Sequence, residues 1–228
     1  RKEQLGTDGK RLVNLSVIAL AQELVLAFGE HDVASLARDA SLREIGEALG
    51  IMLYVQGDLL LLGWLRGDTV AGYYGICTTV TLAIIALGQG FGMSYSQKLR
   101  DGEGDLTSGP PLKGTLLLGL GATALVLATG LVMLVVPAVP NELAVAMVIM
   151  SLFCGMRTVS TVFQAVLYNQ RRDGVRLVVN LGVVPIKLGL VVALAGLGAV
   201  GAAIASVITD ALLLAIYLRV LYPKSAAK

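Results

Sequence analysis

Charged side chains are scarce in this chain of 228 residues. Asp, Glu, Lys and Arg make up 15% of it, against roughly 25% in soluble domains, whereas hydrophobic residues make up 56%. The mean hydropathy is +0.78. A globule with this balance has too little polar surface to stay in solution. The small net charge of +2 also argues against a nucleic-acid-binding surface, which needs Lys and Arg clustered on a polar domain.

Aromatic residues, cysteines and histidines are also few. Aromatic residues make up 5% of the chain, and Leu, Val, Ala and Gly dominate, so we expect helices that pack closely on small residues. Cys77 and Cys154 lie in apolar runs, without CxxC spacing and far from the single histidine, His31; we interpret both as thiols packed inside the membrane. Walker A, HExxH and GxSxG motifs are missing, as is a paired-carboxylate cleft. The sequence therefore predicts no enzyme, no cofactor, no metal and no catalytic residue.

Six apolar segments are long enough to cross a bilayer, which takes about 20 mostly apolar residues. We place them at 44–65, 70–97, 113–136, 142–169, 175–196 and 199–222. Short separators with turn signals join them. The predicted fold is all-α: a polytopic membrane protein whose six-helix transmembrane bundle spans 44–222. Residues 1–43 are expected to form a cytoplasmic or interfacial segment, and residues 223–228 a cytoplasmic tail.

Basic residues are unevenly distributed over the two ends of these segments. Short cytoplasmic loops carry an excess of Lys and Arg. One end collects Arg38, Arg43, Lys98, Arg100, Lys113, Arg171, Arg172, Arg176, Arg219, Lys224 and Lys228. The other end has Arg66. This asymmetry predicts a multi-pass protein with both termini in the cytoplasm.

Four ionisable residues fall inside the segments: Asp58, Arg157, Lys187 and Asp210. A charge at mid-membrane costs roughly 2.5–3.5 kcal/mol on insertion scales, so such residues face a partner or a watery cavity. Two interpretations follow. In the first, they line a hydrated cleft. In the second, Asp58 pairs with Lys187 and Arg157 with Asp210, and the pairs hold helices together.

Polar residues at helical spacing favour the cleft. In the fourth segment one face carries Arg157, Thr161, Gln164, Tyr168 and Arg171, from mid-membrane to the cytoplasmic end. In the fifth segment Arg176, Asn180 and Lys187 share a face in the same way. The third segment has only scattered threonines and is predicted to face lipid.

Glycine and proline interrupt two segments. Gly88, Gly90 and Gly92 lie in the second segment and Pro185 in the fifth. Gly90 and Pro185 are candidate hinges, and tight helix packing is the alternative. The run from Gly196 to Gly201 matches the GxGxxG dinucleotide fingerprint. It lacks βαβ units and a suitably placed acidic residue, so we interpret it as a tight turn between two spans.

Two stretches resemble a known transporter family. The first is GDLLLLG at 57–63, followed after a short loop by VAGYY at 70–74. The second is GAVGAAIASVIT at 198–209, preceded by Asn180 in the fifth segment. From about Asp58 to Leu221, their order is similar to the C-terminal lobe of the multidrug/oligosaccharidyl-lipid/polysaccharide flippase superfamily, especially its O-antigen and polysaccharide flippases.

This resemblance implies a function in the cell envelope. Family members have two lobes around a central cavity and work by alternating access, so the chain would be one lobe of an inner-membrane flippase for lipid-linked oligosaccharide in polysaccharide biosynthesis. A second lobe, from an upstream half or another chain, is the expected partner, with membrane lipid and the lipid-linked saccharide. Alternatives are a small-solute or drug exporter of the same superfamily, the permease subunit of an ATP-driven transporter, and a non-transporting scaffold.

Within this hypothesis each polar residue has an expected role. Arg157 is the primary contact for a phosphate or pyrophosphate headgroup and Lys187 a second one. Arg171 and Arg176 attract the headgroup at the cytoplasmic mouth. The remaining substrate-binding candidates are Gln164, Thr161, Tyr168 and Asn180. Asp58 and Asp210 either hold the cations in place or carry coupling protons.

Overall fold

A computed structural model of the chain describes residues 42–102, 109–170 and 173–222. Every regular element within these ranges is helical. The helices are α1 (Leu42–Arg66), α2 (Asp68–Ser94), α3 (Ser96–Asp101), α4 (Leu112–Val135), α5 (Asn141–Asn169), α6 (Asp173–Leu194) and α7 (Gly198–Leu221). A 3₁₀ turn, Ala195–Leu197, joins the last two.

Glycine and proline set the helix boundaries. Gly67, between α1 and α2, has φ of 91°, a conformation that L side chains rarely adopt. Pro111 and Pro140 directly precede α4 and α5 in extended conformation, where a missing N–H costs no helical hydrogen bond. Around Gly67 and Pro140, one helix ends and the next begins a few residues later. The loops are short because antiparallel neighbours need no more.

The predicted segments coincide with α1, α2, α4, α5, α6 and α7 to within a few residues. The largest difference is at Tyr95, where α2 ends and the short helix α3 begins, so the second segment stops three residues early. By length and apolarity, four helical stretches of the described chain can cross a membrane: 68–101, 112–135, 141–169 and 178–221. The last one contains most of α6 and all of α7. The helices are thus compatible with a multi-pass membrane protein, and six crossings remain a prediction.

The glycine-rich segment between α6 and α7 is a turn. Gly198 has φ of 63° and begins α7. A Cβ atom at Gly201 would collide with the carbonyl oxygen of Leu194, at the end of α6. The GxGxxG spacing therefore serves a close helical reversal, as interpreted from the sequence.

Two polar side chains fasten this turn to the rest of the bundle. Arg66, at the end of α1, donates a hydrogen bond of 3.1 Å to the carbonyl oxygen of Gly196. Glu142, in the first turn of α5, accepts one of 2.8 Å from the backbone N–H of Ala199. We call this end of the bundle the Arg66 end. Of the basic residues in the topology prediction, the described ones Lys98, Arg100, Lys113 and Arg219 lie at the opposite end, which we call the basic end.

Helix α5 lies at the centre of the packing. It packs most extensively against α4, α2 and α7, while α6 packs against α1 and α7. Helix α4 is peripheral and exposes large apolar side chains along its length, among them Leu117, Leu120 and Val132. Apolar surface of this extent is suited to lipid, as predicted for the third segment.

Small residues let α4 approach α5 closely. A Cβ atom at Gly119 would lie 3.0 Å from the carbonyl oxygen of Gly155, and one at Gly130 would lie 2.9 Å from the backbone nitrogen of Val148. Helix α2 meets α5 in the same way, since a Cβ at Gly88 would lie 2.9 Å from the carbonyl oxygen of Thr158. Without a hydrophobic force between helices in lipid, such backbone approach supplies the van der Waals contact that holds them together.

The interior has two apolar clusters with a polar layer between them. One cluster lies toward the Arg66 end and includes Leu62, Cys77 and Met150. The other lies toward the basic end and includes Val184 and Tyr217. In α1 the buried Asp58 lies between Tyr54 of the second cluster and Leu62 of the first, and in α7 the buried Asp210 lies between Ala203 and Leu213 in the same way.

Some predictions fall outside the described residues. The N-terminal segment 1–43, apart from the start of α1, and the tail 223–228 are among them. Arg171 lies in the undescribed stretch 171–172, and Arg176 lies in α6 with its side chain outside the description. Their predicted role at a cytoplasmic mouth therefore stays a prediction.

The α4–α5 contact can be tested with two matched alanine substitutions. Gly119→Ala places a methyl group against the Gly155 carbonyl and the Val159 side chain, whereas a Cβ at Gly121, two residues away, meets no atom within 4 Å. Overpacking costs typically 1–3 kcal/mol, so we expect Gly119→Ala to lower the thermal midpoint of the purified protein in detergent. Gly121→Ala should leave it unchanged. Equal midpoints for both variants would contradict this packing.

Candidate functional site

The four intramembrane charges converge in the layer between the two apolar clusters. Asp58 comes from α1, Arg157 from α5, Lys187 from α6 and Asp210 from α7. Each lies well inside its helix, so the layer is far from both ends of the bundle. We call these four residues, with the hydroxyl groups that contact them, the charged layer.

Lys187 and Asp58 form a buried ion pair. The Lys187 Nζ atom lies 2.7 Å from Asp58 Oδ2 and donates a second hydrogen bond of 2.7 Å to the backbone carbonyl of Tyr54. The Tyr74 hydroxyl also donates to Asp58 Oδ2. Asp58 Oδ1 accepts the backbone N–H of Leu59 at 3.0 Å. Both oxygens of this carboxylate are thus occupied.

Arg157 and Asp210 form a looser pair. Arg157 Nη1 lies 3.4 Å from Asp210 Oδ1, and the Tyr54 hydroxyl donates a hydrogen bond of 2.7 Å to Asp210 Oδ2. The Asp210 side chain is 0% exposed and that of Arg157 is 14% exposed. Among the described residues Asp210 is the single hydrogen-bond partner of the guanidinium, which has five N–H donors.

Tyr54 joins the two pairs. Its hydroxyl contacts Asp210 and its carbonyl contacts Lys187. Its ring centroid lies 4.5 Å from the Arg157 guanidinium carbon and 4.4 Å from Lys187 Nζ, so it makes two cation–π contacts. One aromatic side chain therefore touches both cations and one of the two carboxylates.

Tyr74 extends the layer to α2 and back to α7. Its hydroxyl lies 2.8 Å from Ser206 Oγ. Because a phenol has one hydrogen and Tyr74 donates it to Asp58, the Ser206 hydroxyl is the donor in this second bond. Ser206 lies one turn before Asp210, so α7 contributes to both halves of the layer.

The structure contains both ion pairs of the second sequence-based interpretation, in which the charges pair and hold helices together. Asp58 with Lys187 and Arg157 with Asp210 are the partners, and each pair joins two helices. A pair neutralises two charges where the surrounding medium cannot. Substrate binding by these residues and proton transfer by the aspartates stay predictions, because the pairs are geometrically compatible with a structural role alone.

The polar face of α5 continues beyond Arg157 with donors that lack partners. Ser160 Oγ and Gln164 Nε2 are buried, and neither has a hydrogen-bond partner within the described part of the chain. Ser160 is three residues from Arg157 and Gln164 is seven, so all three share a helical face. Buried polar groups without partners are costly, and they mark places where water or a ligand is expected.

The other predicted site residues are scattered. Thr161 donates to the carbonyl of Thr158 at 2.8 Å, within its own helix. Tyr168 is exposed. Asn180 accepts a hydrogen bond of 3.0 Å from the Tyr217 hydroxyl, in the apolar cluster toward the basic end.

The two hinge candidates lie in continuous helices. α2 runs unbroken through Gly90, where a Cβ would meet no atom within 4 Å, and α6 runs through Pro185. Gly88 and Gly92, by contrast, lie against α5, where tight packing explains them. Hinge motion at Gly90 or Pro185 stays a prediction.

Tyr54, Tyr74 and Ser206 are members of the layer that were absent from the predicted site. One signal was available for Tyr54, which lies one helical turn before Asp58 on the same face. Tyr74 shares a helical face with Thr78 and Thr81 in the second segment, and no local pattern distinguishes Ser206 from ordinary packing residues. Among the described residues, no group of three or more His, Cys, Asp and Glu side chains is placed to hold a metal ion.

Comparison with known proteins adds no relative. The chain matches no protein-family model, no curated protein and no solved structure. The description of the site therefore depends on its geometry alone.

The buried pair on α6 and α1 can be tested by a double-mutant cycle. Lys187→Met leaves the Asp58 carboxylate without its cation, and breaking such a pair typically costs 3–5 kcal/mol. The double variant Asp58→Asn with Lys187→Met removes both charges, so we expect it to recover most of the lost thermal midpoint in detergent. Lys113→Met, at an exposed cation of α4, is the matched control and should behave as wild type. A double variant no more stable than Lys187→Met would contradict the pairing.

Proposed function

We propose that the chain forms one lobe of an alternating-access transporter that moves a lipid-linked saccharide across the membrane. The observation that carries the proposal is the α5 face at Arg157, Ser160 and Gln164. There a guanidinium with unused N–H groups and two buried polar atoms without partners are aligned inside an apolar helix bundle. Such a face is suited to a hydrogen-bond acceptor with negative charge.

The chemistry of these donors fits a phosphate-type headgroup. Arg presents a planar set of N–H groups that matches phosphate oxygens, and such charge-assisted hydrogen bonds are roughly twice as strong as neutral ones. Gln164 and Ser160 add neutral donors along the same face toward the basic end. Arg157 is also the least buried of the four charges, so it is the one that a ligand can reach.

The rest of the bundle suits a lipid-linked molecule. Large apolar side chains cover the outer surface of α4, and a polyprenyl tail can remain in contact with lipid while only its headgroup crosses. A second lobe would complete the cavity opposite α5. This architecture follows from the resemblance of residues 58–221 to one lobe of the polysaccharide flippases.

A structural scaffold is the second candidate. The two ion pairs favour it, because they neutralise the four charges of the charged layer. In that case the charged layer holds α1, α5, α6 and α7 in register and binds no substrate. The unpartnered donors of Ser160 and Gln164 argue for the transporter, since a scaffold has no use for them.

Substitution of Arg157 tests the proposal. Arg157→Gln removes the charge that would bind the headgroup, and loss of a charge-assisted hydrogen bond corresponds to about tenfold or more in affinity. We expect saccharide export by cells that depend on the protein to be lost, with the amount of protein in the membrane unchanged. Surface saccharide is measured with a labelled lectin.

Two further variants separate binding from folding. Arg157→Gln with Asp210→Asn keeps the layer neutral, so it should be as stable as wild type and still fail to export. Arg100→Gln, at an exposed position of α3, is the matched control and should export normally. Normal export by the neutral double variant would refute the role of Arg157.

Water along the α5 face distinguishes the transporter from the scaffold. Tyr168 and Leu117 are 60% and 67% exposed, so cysteines at these positions are equally accessible in the isolated chain. In the membrane we expect Tyr168→Cys to react with a charged maleimide and Leu117→Cys, on the lipid-facing helix α4, to remain unlabelled. Thr161→Cys then probes a position about two helical turns nearer to Arg157. A water-filled face labels at both 161 and 168, whereas labelling at neither supports the scaffold.

A further inference from the structure

The two aspartates of the charged layer differ in how firmly they are held. Asp58 has the Lys187 ammonium at 2.7 Å, the Tyr74 hydroxyl and a backbone N–H at 3.0 Å. Asp210 has one hydrogen bond from Tyr54 at 2.7 Å and a guanidinium at 3.4 Å. Charge-assisted bonds between nitrogen and oxygen are ordinarily about 2.7–2.9 Å long, so the Arg157–Asp210 contact is a long one.

The two cations also differ in how firmly they are held. The ammonium of Lys187 is tied to two oxygen atoms, one from Asp58 and one from the Tyr54 backbone, and it is buried. Arg157 has one oxygen partner and a partly exposed side chain. An anion that enters along the α5 face therefore meets Arg157, and the pair that it can disrupt is the one with Asp210.

Disruption of that pair leaves a buried carboxylate with one neutral donor. A charge without a partner in a low-dielectric interior is unstable, and a carboxylate in this position is neutralised by protonation. The layer holds a single other cation, Lys187, which Asp58 and the Tyr54 carbonyl already bind. Among the described residues, the other titratable side chains near this pair are Tyr54, which contacts Asp210, and Tyr217, which lies near Arg157, and both are phenols.

We propose that Asp210 is a proton-binding site linked to ligand binding: a phosphate-type anion that draws Arg157 away is accompanied by uptake of one proton from water onto Asp210. This inference rests on the proposed function and assigns the proton to one of the two candidate aspartates. The balance is simple. The anion takes the guanidinium as its counter-ion, the proton neutralises the carboxylate, and no other bond changes. Asp58 keeps its contact with Lys187.

The linkage has a definite sign. Because the bound state holds more protons than the free state, affinity for the anion increases as pH falls. The headgroup and the proton are then bound together and released together.

The number of protons is measured by calorimetry. The purified chain in nanodiscs is titrated with farnesyl pyrophosphate at one pH in two buffers of different ionisation enthalpy, and the difference in heat gives the protons taken up. We expect about one proton per bound ligand in wild type, and about one fewer in Asp210→Asn than in wild type. Glu142→Gln, which keeps its acceptor for the Ala199 N–H, is the matched control and should take up as many protons as wild type.

The outcomes separate the two proposals. Absence of binding by wild type contradicts the proposed function, whereas binding without proton uptake contradicts only the role of Asp210. Proton uptake that persists in Asp210→Asn, or that is lost in Asp58→Asn instead, also contradicts the role of Asp210. Inorganic pyrophosphate, titrated in parallel, tells whether the anion alone or the lipid-linked form is recognised. If Asp210→Asn does not fold, infrared difference spectra of wild type decide: a protonated carboxyl band that appears with ligand supports the inference, and no band overturns it.

Discussion

The constraint on which the structure depends is the neutralisation of four formal charges inside an apolar bundle. Asp58, Arg157, Lys187 and Asp210 each belong to a different helix, so their pairing fixes how those helices are rotated about their own axes. An apolar contact can slide by a residue at small cost in lipid, because lipid and leucine are equally apolar. An ion pair with good geometry cannot. The ion pairs of the charged layer thus fix the axial register of the helices. The glycine contacts allow the helix backbones to approach each other closely.

Tyr54 makes the two ion pairs one system. A change at Arg157 acts on Tyr54 through its ring and on Asp210 directly, and Tyr54 contacts Lys187 in turn. A displacement of one member of the layer therefore acts on the others through direct contacts with Tyr54. This property distinguishes it from two independent pairs that happen to lie at the same depth.

Helix positions could be predicted from the sequence because they depend on local features: the length of each apolar segment and the glycine or proline residues that flank it. Gly67, Pro140 and Gly198 mark real boundaries, and only the break at Tyr95 was missed, since no residue there forbids a helix. The partners of the charges were a harder problem. Both pairs were among the alternatives, but the choice depends on helix rotation and depth, which arise from packing along the whole bundle. The bridging role of Tyr54 could not be predicted, because it requires Arg157 and Lys187, which belong to two different helices, to contact the same aromatic ring.

The two hydrogen bonds at the Arg66 end have a mechanical consequence. Arg66 and Glu142 attach α1 and α5 to the turn that follows α6, so these helices cannot separate there without breaking a bond. A tilt of α6 away from α5 must then pivot near this end. With 22 residues in α6, a tilt of about 10° moves its far end by roughly 6 Å, given a rise of 1.5 Å per residue. At the opposite end, α6 is held by apolar contacts and by the hydrogen bond from Tyr217 to Asn180, so such a tilt would have to break these contacts first.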